Sequence, residues 1–195
     1  AAVESYKKAI EVDGDWAILH INLGSVLNDT GNPDAALESY QRALEIDPSS
    51  TAALNNIGVV MNAKGDPSAA IESYKQAIKV DPNCAEAHNN LGIRLRDIGE
   101  LATAIESFSK ALTADPNYEM AHGNILFERA RICDWAAIER DRHLIPALGT
   151  STDSGPPFGL MFLEDAPERH LLRSKLYAKN SFKQKSIPLP TGPTH

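Results

Sequence analysis

One period dominates this chain of 195 residues. Asp-Pro occurs at 47–48, 81–82 and 115–116, a spacing of 34 residues. Gly24, Gly58 and Gly92 keep that spacing, as do Tyr6, Tyr40, Tyr74 and Phe108, and Ala9, Ala43, Ala77 and Ala111. Turn residues Gly31, Gly65 and Gly99 complete the register. A fixed period of this length, with small and large side chains at constant positions, is the mark of stacked structural units and not of a single globule.

Within one period the pattern is two amphipathic helices with punctuation. Ala53, Leu54, Ile57, Gly58 and Met61 share one helical face, and Lys64-Gly65-Asp66-Pro67 makes a turn. Pro67 suits the first turn of a helix, with Asp66 as its N-cap. Ala70, Ile71, Tyr74, Ala77 and Ile78 form the second face, and Asp81-Pro82 ends it. Gly58 and Ala70 allow close helix approach, and Tyr74 fills the groove that results. The expected fold class is all-α. Only 6% of the residues are aromatic, and the apolar set is rich in alanine, which fits helices better than a β-sandwich. Charge divides the chain: residues 1–116 hold 9 Lys/Arg against 17 Asp/Glu, and residues 117–195 hold 10 against 9. A pI near 5.3 argues against nucleic acid as a partner.

These positions resemble the tetratricopeptide repeat, which has this period and this small/large alternation. The resemblance implies a right-handed superhelical solenoid of α-α repeats with a C-terminal helical junction. The expected divisions are a partial repeat (second helix only) at 1–16 and full repeats at 17–50, 51–84 and 85–118. A degenerate capping repeat at 119–148, a loop and junction helix at 149–180 and a basic tail at 181–195 follow. The leading half unit is read as the cut end of a longer array, and Gly14 replaces the expected proline of its junction. In the fourth unit Leu126 takes the glycine position and Arg142 the tyrosine position. There Leu126 is expected to push the second helix outward, and Cys133-Asp134-Trp135 to replace the usual turn.

In this repeat family the sixth position of each unit points into the concave groove. Here it is asparagine every time: Asn22, Asn56, Asn90 and Asn124, doubled in the middle units by Asn55 and Asn89. An amide offers both a donor and an acceptor, so such a ladder can grip a peptide backbone without selecting side chains. Rungs one helix diameter apart, ~10 Å, correspond to roughly three residues of extended peptide. A cationic clamp for carboxylates is disfavoured, because Ile18, Ile21, Ala52 and Glu86 hold the groove positions it needs, with Arg96 and Arg131 as nearby cations. His20, His88 and His122 also recur every 34 residues. Ligands of one zinc ion must converge with bonds near 2 Å, so histidines a helix diameter apart are read as packing residues. Cys84 and Cys133 are likewise assigned to packing, and Trp16 and Trp135 to sealing array junctions.

No phosphate loop, carboxylate pair or nucleophile–base signature is present, and Asp141-Arg142-His143 places its side chains in different directions on a helix. No catalytic, metal or cofactor residue is assigned. The order after Asn117 carries a second resemblance. A degenerate repeat runs into Ile132-Cys133-Asp134-Trp135, followed by a loop at 149–157 and Pro157-Phe158-Gly159-Leu160-Met161-Phe162. The acidic turn Glu164-Asp165-Ala166-Pro167 and a helix at 168–179 come next. That order is similar to the junction between repeats and catalytic half in O-linked N-acetylglucosamine transferases, which also carry an asparagine ladder. The resemblance implies the acceptor-protein-binding part of such a glycosyltransferase, without its catalytic half; the alternative is a non-enzymatic adaptor for protein complexes. Asp165 and Glu168 fit a capping box, and Leu171, Leu172, Lys175 and Leu176 form an apolar stripe that needs a partner surface. The expected partner is a protein or extended peptide, with self-association through exposed array ends and no nucleic acid or membrane. Two cysteines and no apolar run of spanning length favour a reducing, cytoplasmic setting.

Overall fold

In the computed structural model the described residues are 2–146, 148 and 167–181, the last segment with side chains through 176. Every regular element among them is helical. The chain divides into two compact units, Ala1–Ala121 and His122–His195, taken in turn.

The first unit contains α1 (Ala2–Val12), α2 (Ala17–Asp29), α3 (Pro33–Ile46), α4 (Thr51–Ala63), α5 (Pro67–Val80), α6 (Ala85–Asp97) and α7 (Leu101–Ala114), and ends in the first residues of α8 (Glu119–Arg131). Helices α2/α3, α4/α5 and α6/α7 pair as hairpins, and each pair stacks on the next. The Asp-Pro stops work through their side chains. Asp47, Asp81 and Asp115 are extended, as a residue before proline must be. Their carboxylates accept the amide N–H two residues on, from Ser49, Asn83 and Asn117, at 2.9–3.0 Å. The turn inside each hairpin closes with a Schellman arrangement. Gly31, Gly65 and Gly99 sit at φ of 80°, 83° and 87°, which only glycine adopts without steric cost. Asp66 then caps α5, accepting the Ala69 amide at 2.9 Å.

Each hairpin locks through one contact. A Cβ built on Gly24 would lie 2.6 Å from the Tyr40 ring, on Gly58 2.5 Å from Tyr74, and on Gly92 2.6 Å from Phe108. The rings are therefore pressed against bare backbone, and all three are at most 2% exposed. Ala36, Ala43, Ala53, Ala70, Ala77, Ala104 and Ala111 are fully buried around them. Ile21, Leu37, Tyr40, Ala43, Ala53 and Val60 form one cluster, so the core runs across the boundary between hairpins. Tyr40 finds a polar partner, donating to Ser25 Oγ at 3.2 Å. Val59 and Ile93 replace that serine in the next two units. Helix α1 has the same register but no buried residue. Trp16 is 59% exposed and does not seal the first junction: as the N-cap of α2 it sits on the loop rather than on a packed face.

The second unit holds the rest of α8, α9 (Trp135–Asp141), a 3-10 turn (Arg142–Leu144) and α10 (Pro167–Ser181). Its first turn corrects the sequence expectation, because the usual turn is kept. Cys133 N–H donates to Ala130 O and Asp134 N–H to Arg129 O, the bonding seen at Gly65 and Asp66. Cys133 accepts the left-handed conformation that glycine holds elsewhere, at φ 58°, and is exposed on that turn, so it is not a packing residue. Asp134 caps α9 through the Ala137 amide. Trp135 is 60% exposed at the helix start, where it seals nothing. Leu126 is fully buried with Ile138, Ile145 and Leu148. With no aromatic ring opposite it, the leucine itself fills the space, and Arg142 turns outward to pair with Glu139.

Helix α10 buries an arginine and leaves two of its leucines exposed. Leu171 and Leu172 are 56% and 44% exposed, whereas Arg173 is 0% exposed. Its Nε donates to the Leu148 carbonyl at 2.7 Å and its second terminal nitrogen to the Ile145 carbonyl at 2.6 Å. The guanidinium thus serves carbonyls left over at the end of the preceding turn, a pairing its planar fork suits. The segment 149–166 and the basic tail after 181, including Asp165, lie outside the described residues.

Four measurements check these contacts. Gly58→Ala drives a methyl into the Tyr74 ring and is expected to lower stability by about 1–3 kcal/mol in urea. Gly123→Ala meets nothing within 4 Å, so the helix-propensity gain of up to ~1 kcal/mol should stand. Burial raises the Tyr74 phenol to about 12, despite the lowering influence of Arg94. The unfolded phenol titrates near 10. Between those values the unfolded chain has released a proton that the fold retains, so stability falls as pH rises. Tyr74→Phe should spare about 1 kcal/mol of the loss between pH 8 and pH 11, read from urea midpoints. Cys133→Gly relieves the left-handed strain and is expected to stabilise the protein by about 0.5–1 kcal/mol after the unfolded-state entropy of glycine is subtracted.

Candidate peptide-binding surface

The first helices of the three hairpins, α2, α4 and α6, lie side by side. Because the repeat keeps its register, Asn22, Asn56 and Asn90 occupy the same position on each, all half-buried. The fourth asparagine, Asn124, is half-buried on the α8 portion of the second unit. Asn55 is half-buried beside Asn56, and its side-chain oxygen accepts a hydrogen bond from Asn90 Nδ2 at 3.0 Å. Asn89 departs from the expectation. It is 0% exposed and cannot touch a ligand on the surface. One residue apart on a helix, neighbouring side chains diverge by about 100°. At this point of α6 the inward direction belongs to Asn89 and the outward one to Asn90.

The same helices carry the other polar groups of this face. Arg94 donates to the side-chain oxygen of Asn62 and pairs with Asp97. Arg96 also faces Asp97, at 3.5 Å. Arg94 escaped the sequence reading, although the register contains its signal: the equivalent positions in the preceding units are Val26 and Val60, and a guanidinium there breaks an apolar column. Both arginines share one carboxylate, so their charge is partly neutralised. Ile18, Ala52 and Glu86 are exposed on this series of helices, and Val59 is 37% exposed.

The recurring histidines serve the scaffold. His20 Nε2 lies 3.1 Å from the Gly14 carbonyl and His88 Nε2 2.9 Å from the Pro82 carbonyl. Each ring therefore ties the start of a first helix to the loop before it. No cluster of three or more histidine, cysteine or acidic side chains among the described residues is placed to hold a metal. Cys84 packs against the cluster of Leu54, Ala77 and Ala87, and burial pushes its thiol upward from the ordinary range. In the second unit His143 is exposed against the Arg140 carbonyl, and Asp141 pairs with Arg129. The neighbouring charges of Asp141, Arg142 and His143 do not converge.

Two sequence profiles described as tetratricopeptide repeat match the chain, one over residues 16–83 and one over 63–119. The array is a tetratricopeptide-repeat solenoid. Solved structures agree with it in fold. A structure from a functional characterisation of pilF of Pseudomonas aeruginosa superposes with a TM-score of 0.70 at 20% identity, covering 92% of this chain and 82% of its own. The crystal structure of MamA gives a TM-score of 0.57 at 21% identity, covering 91% and 89%. The first tetratricopeptide domain of Spaghetti (RPAP3), bound to the HSP90 peptide SRMEEVD, gives 0.57 at 16% identity, covering 62% of this chain and 96% of its own. No curated protein matches the chain. No helix among the described residues is long and apolar enough to cross a membrane.

Proposed function

We propose that this tetratricopeptide array binds extended protein segments along the face of α2, α4 and α6, and that Asn22, Asn56 and Asn90 hold the peptide backbone. The observation that carries this reading is the half-buried asparagine kept at one register through successive helices. Asparagine is a poor helix-interior residue, and repeating it has a use only where amide groups are wanted at a fixed spacing. A repeat domain of the same fold, that of Spaghetti (RPAP3), was solved bound to the HSP90 peptide SRMEEVD. The acidic character of that peptide does not transfer. Here apolar or acidic residues, Ile18, Ile21 and Glu86, stand where a carboxylate clamp needs cations. Asn55 and Arg94 complete the polar face, and Asn89 is structural.

The finer proposal concerns the parent protein. The Cys133-Asp134-Trp135 turn, the Pro157-Phe158 segment and the asparagine ladder resemble the non-catalytic portion of O-linked N-acetylglucosamine transferases. On that basis the array is the acceptor-binding part of a protein glycosyltransferase of this type. Its contribution is positioning, raising the local concentration of acceptor serine and threonine hydroxyls near a catalytic half elsewhere in the protein.

Asn56→Ala combined with Asn90→Ala is expected to weaken binding of an uncharged extended peptide about tenfold or more, at about 1 kcal/mol for each lost hydrogen bond. Circular dichroism should remain that of the wild type. Unchanged affinity in a folded double variant removes the ladder from the mechanism. Reading the gene beyond the codon for His195 decides the parentage: a glycosyltransferase half supports it, and a stop codon leaves an adaptor.

A further inference from the structure

The asparagine ladder is uneven. Asn90 Nδ2 donates to Asn55 Oδ1 at 3.0 Å across the α4/α6 boundary. One boundary earlier the residue in the register of Asn55 is Ile21, whose side chain offers no acceptor to Asn56. Among the described residues no side-chain hydrogen bond holds Asn22 or Asn56. Of the rungs on α2, α4 and α6, the Asn90 rung therefore has a fixed amide, and the Asn22 and Asn56 rungs have amides that must be ordered when a ligand arrives.

We propose that Asn55 is a positioning residue that holds the Asn90 amide in its binding orientation, making the α4/α6 rung the anchor among the three rungs of α2, α4 and α6. This rests on the groove reading above. The argument is one of preorganisation. Immobilising a free polar side chain on binding costs roughly a few-fold in affinity, and Asn90 has met that cost in the folded protein. The bond to Asn55 engages one of the two Nδ2 hydrogens. The other hydrogen and the outward lone pair of Oδ1 are left for a peptide unit. Val59 lies four residues after Asn55 and Ile93 three after Asn90, spacings that share a helix face. The backbone anchored at this rung therefore runs beside aliphatic surface, of which Val59 is 37% exposed. The partner that fits is an extended segment with an uncharged, aliphatic side chain next to the anchored peptide unit.

The test uses the whole chain and a capped peptide of alternating serine and valine, at physiological salt, with titration calorimetry for affinity. Side-chain amide exchange is followed by NMR in the free protein. Asn55→Ile is the informative variant, because Ile21 shows that the register accepts isoleucine; Asn55→Ala serves if it fails to fold. Asn55→Asp keeps an acceptor for Asn90 but loses Asn55's own N–H groups. Expected are a loss of about fivefold in affinity and faster Asn90 amide exchange for Asn55→Ile. Asn55→Asp should stay within about twofold of wild type, and adding Asn55→Ile to Asn90→Ala should cost little more. If Asn90→Ala weakens binding and Asn55→Ile does not, the ladder stands and the positioning role falls. If Asn55→Asp is as weak as Asn55→Ile, Asn55 touches the peptide itself and the positioning role is overturned. If wild type does not bind the peptide, or neither Asn90→Ala nor Asn55→Ile changes affinity, the groove reading fails and this inference goes with it.

Discussion

The contact between a ring and a bare glycine sets the geometry on which the rest of the array depends. Tyr40, Tyr74 and Phe108 each lie on a backbone that has no room for a Cβ. Two helices pressed to that distance have little freedom in how they slide or rotate, because protein interiors are packed to crystalline density. The same contact made three times gives the same hairpin three times. Once the hairpins are alike, the Asp-Pro junctions, whose carboxylates fold back on the next amides, join them in a regular way. A row of identical residues on the first helices then follows without any further device. The proposed binding surface is thus a by-product of packing on the opposite side of each helix.

The second unit shows what happens when that contact is exchanged. Leu126 stands in place of glycine and Arg142 in place of the ring. The buried volume is still filled, but by a side chain from the first helix, with Ile138, Ile145 and Leu148 gathered around it. The second helix shortens to Trp135–Asp141, and nothing requires its outer face to match another hairpin. The turn survives the change, at the cost of Cys133 in a left-handed conformation. The turn depends on backbone hydrogen bonds and on the Asp134 cap, not on the packing beneath it.

Periodicity made most of the first unit legible. Helix pairing, the buried alanines, the glycine–ring contacts and the Asp66 cap are all consequences of residue type at a fixed register. What periodicity could not reveal are contacts that belong to one position alone. The full burial of Asn89 and half-burial of Asn90 depend on where α6 lies against its neighbours, not on residue type, since the two are identical. Arg173 was missed because an arginine in a charged helix reads as solvated; its burial rests on two carbonyls more than twenty residues earlier in the chain. Trp16 and Trp135 misled for a related reason. Large aromatic side chains are commonly assigned to the core, but both stand at helix starts, where the chain turns toward solvent.

These two kinds of information bear differently on binding. A surface built only from the period would treat every peptide unit alike, and a uniform ladder lets an extended chain slide by one rung at little cost. Local departures break that degeneracy. The Asn90–Asn55 bond occurs at one boundary and not at the one before it, and the Arg94–Asn62 bond lies on the same two helices. Both follow from residues that the preceding unit lacks, Asn55 where it has Ile21 and Arg94 where it has Val60. A groove that accepts many sequences through their common backbone can still fix the register of each, provided one rung is stiffer than the rest.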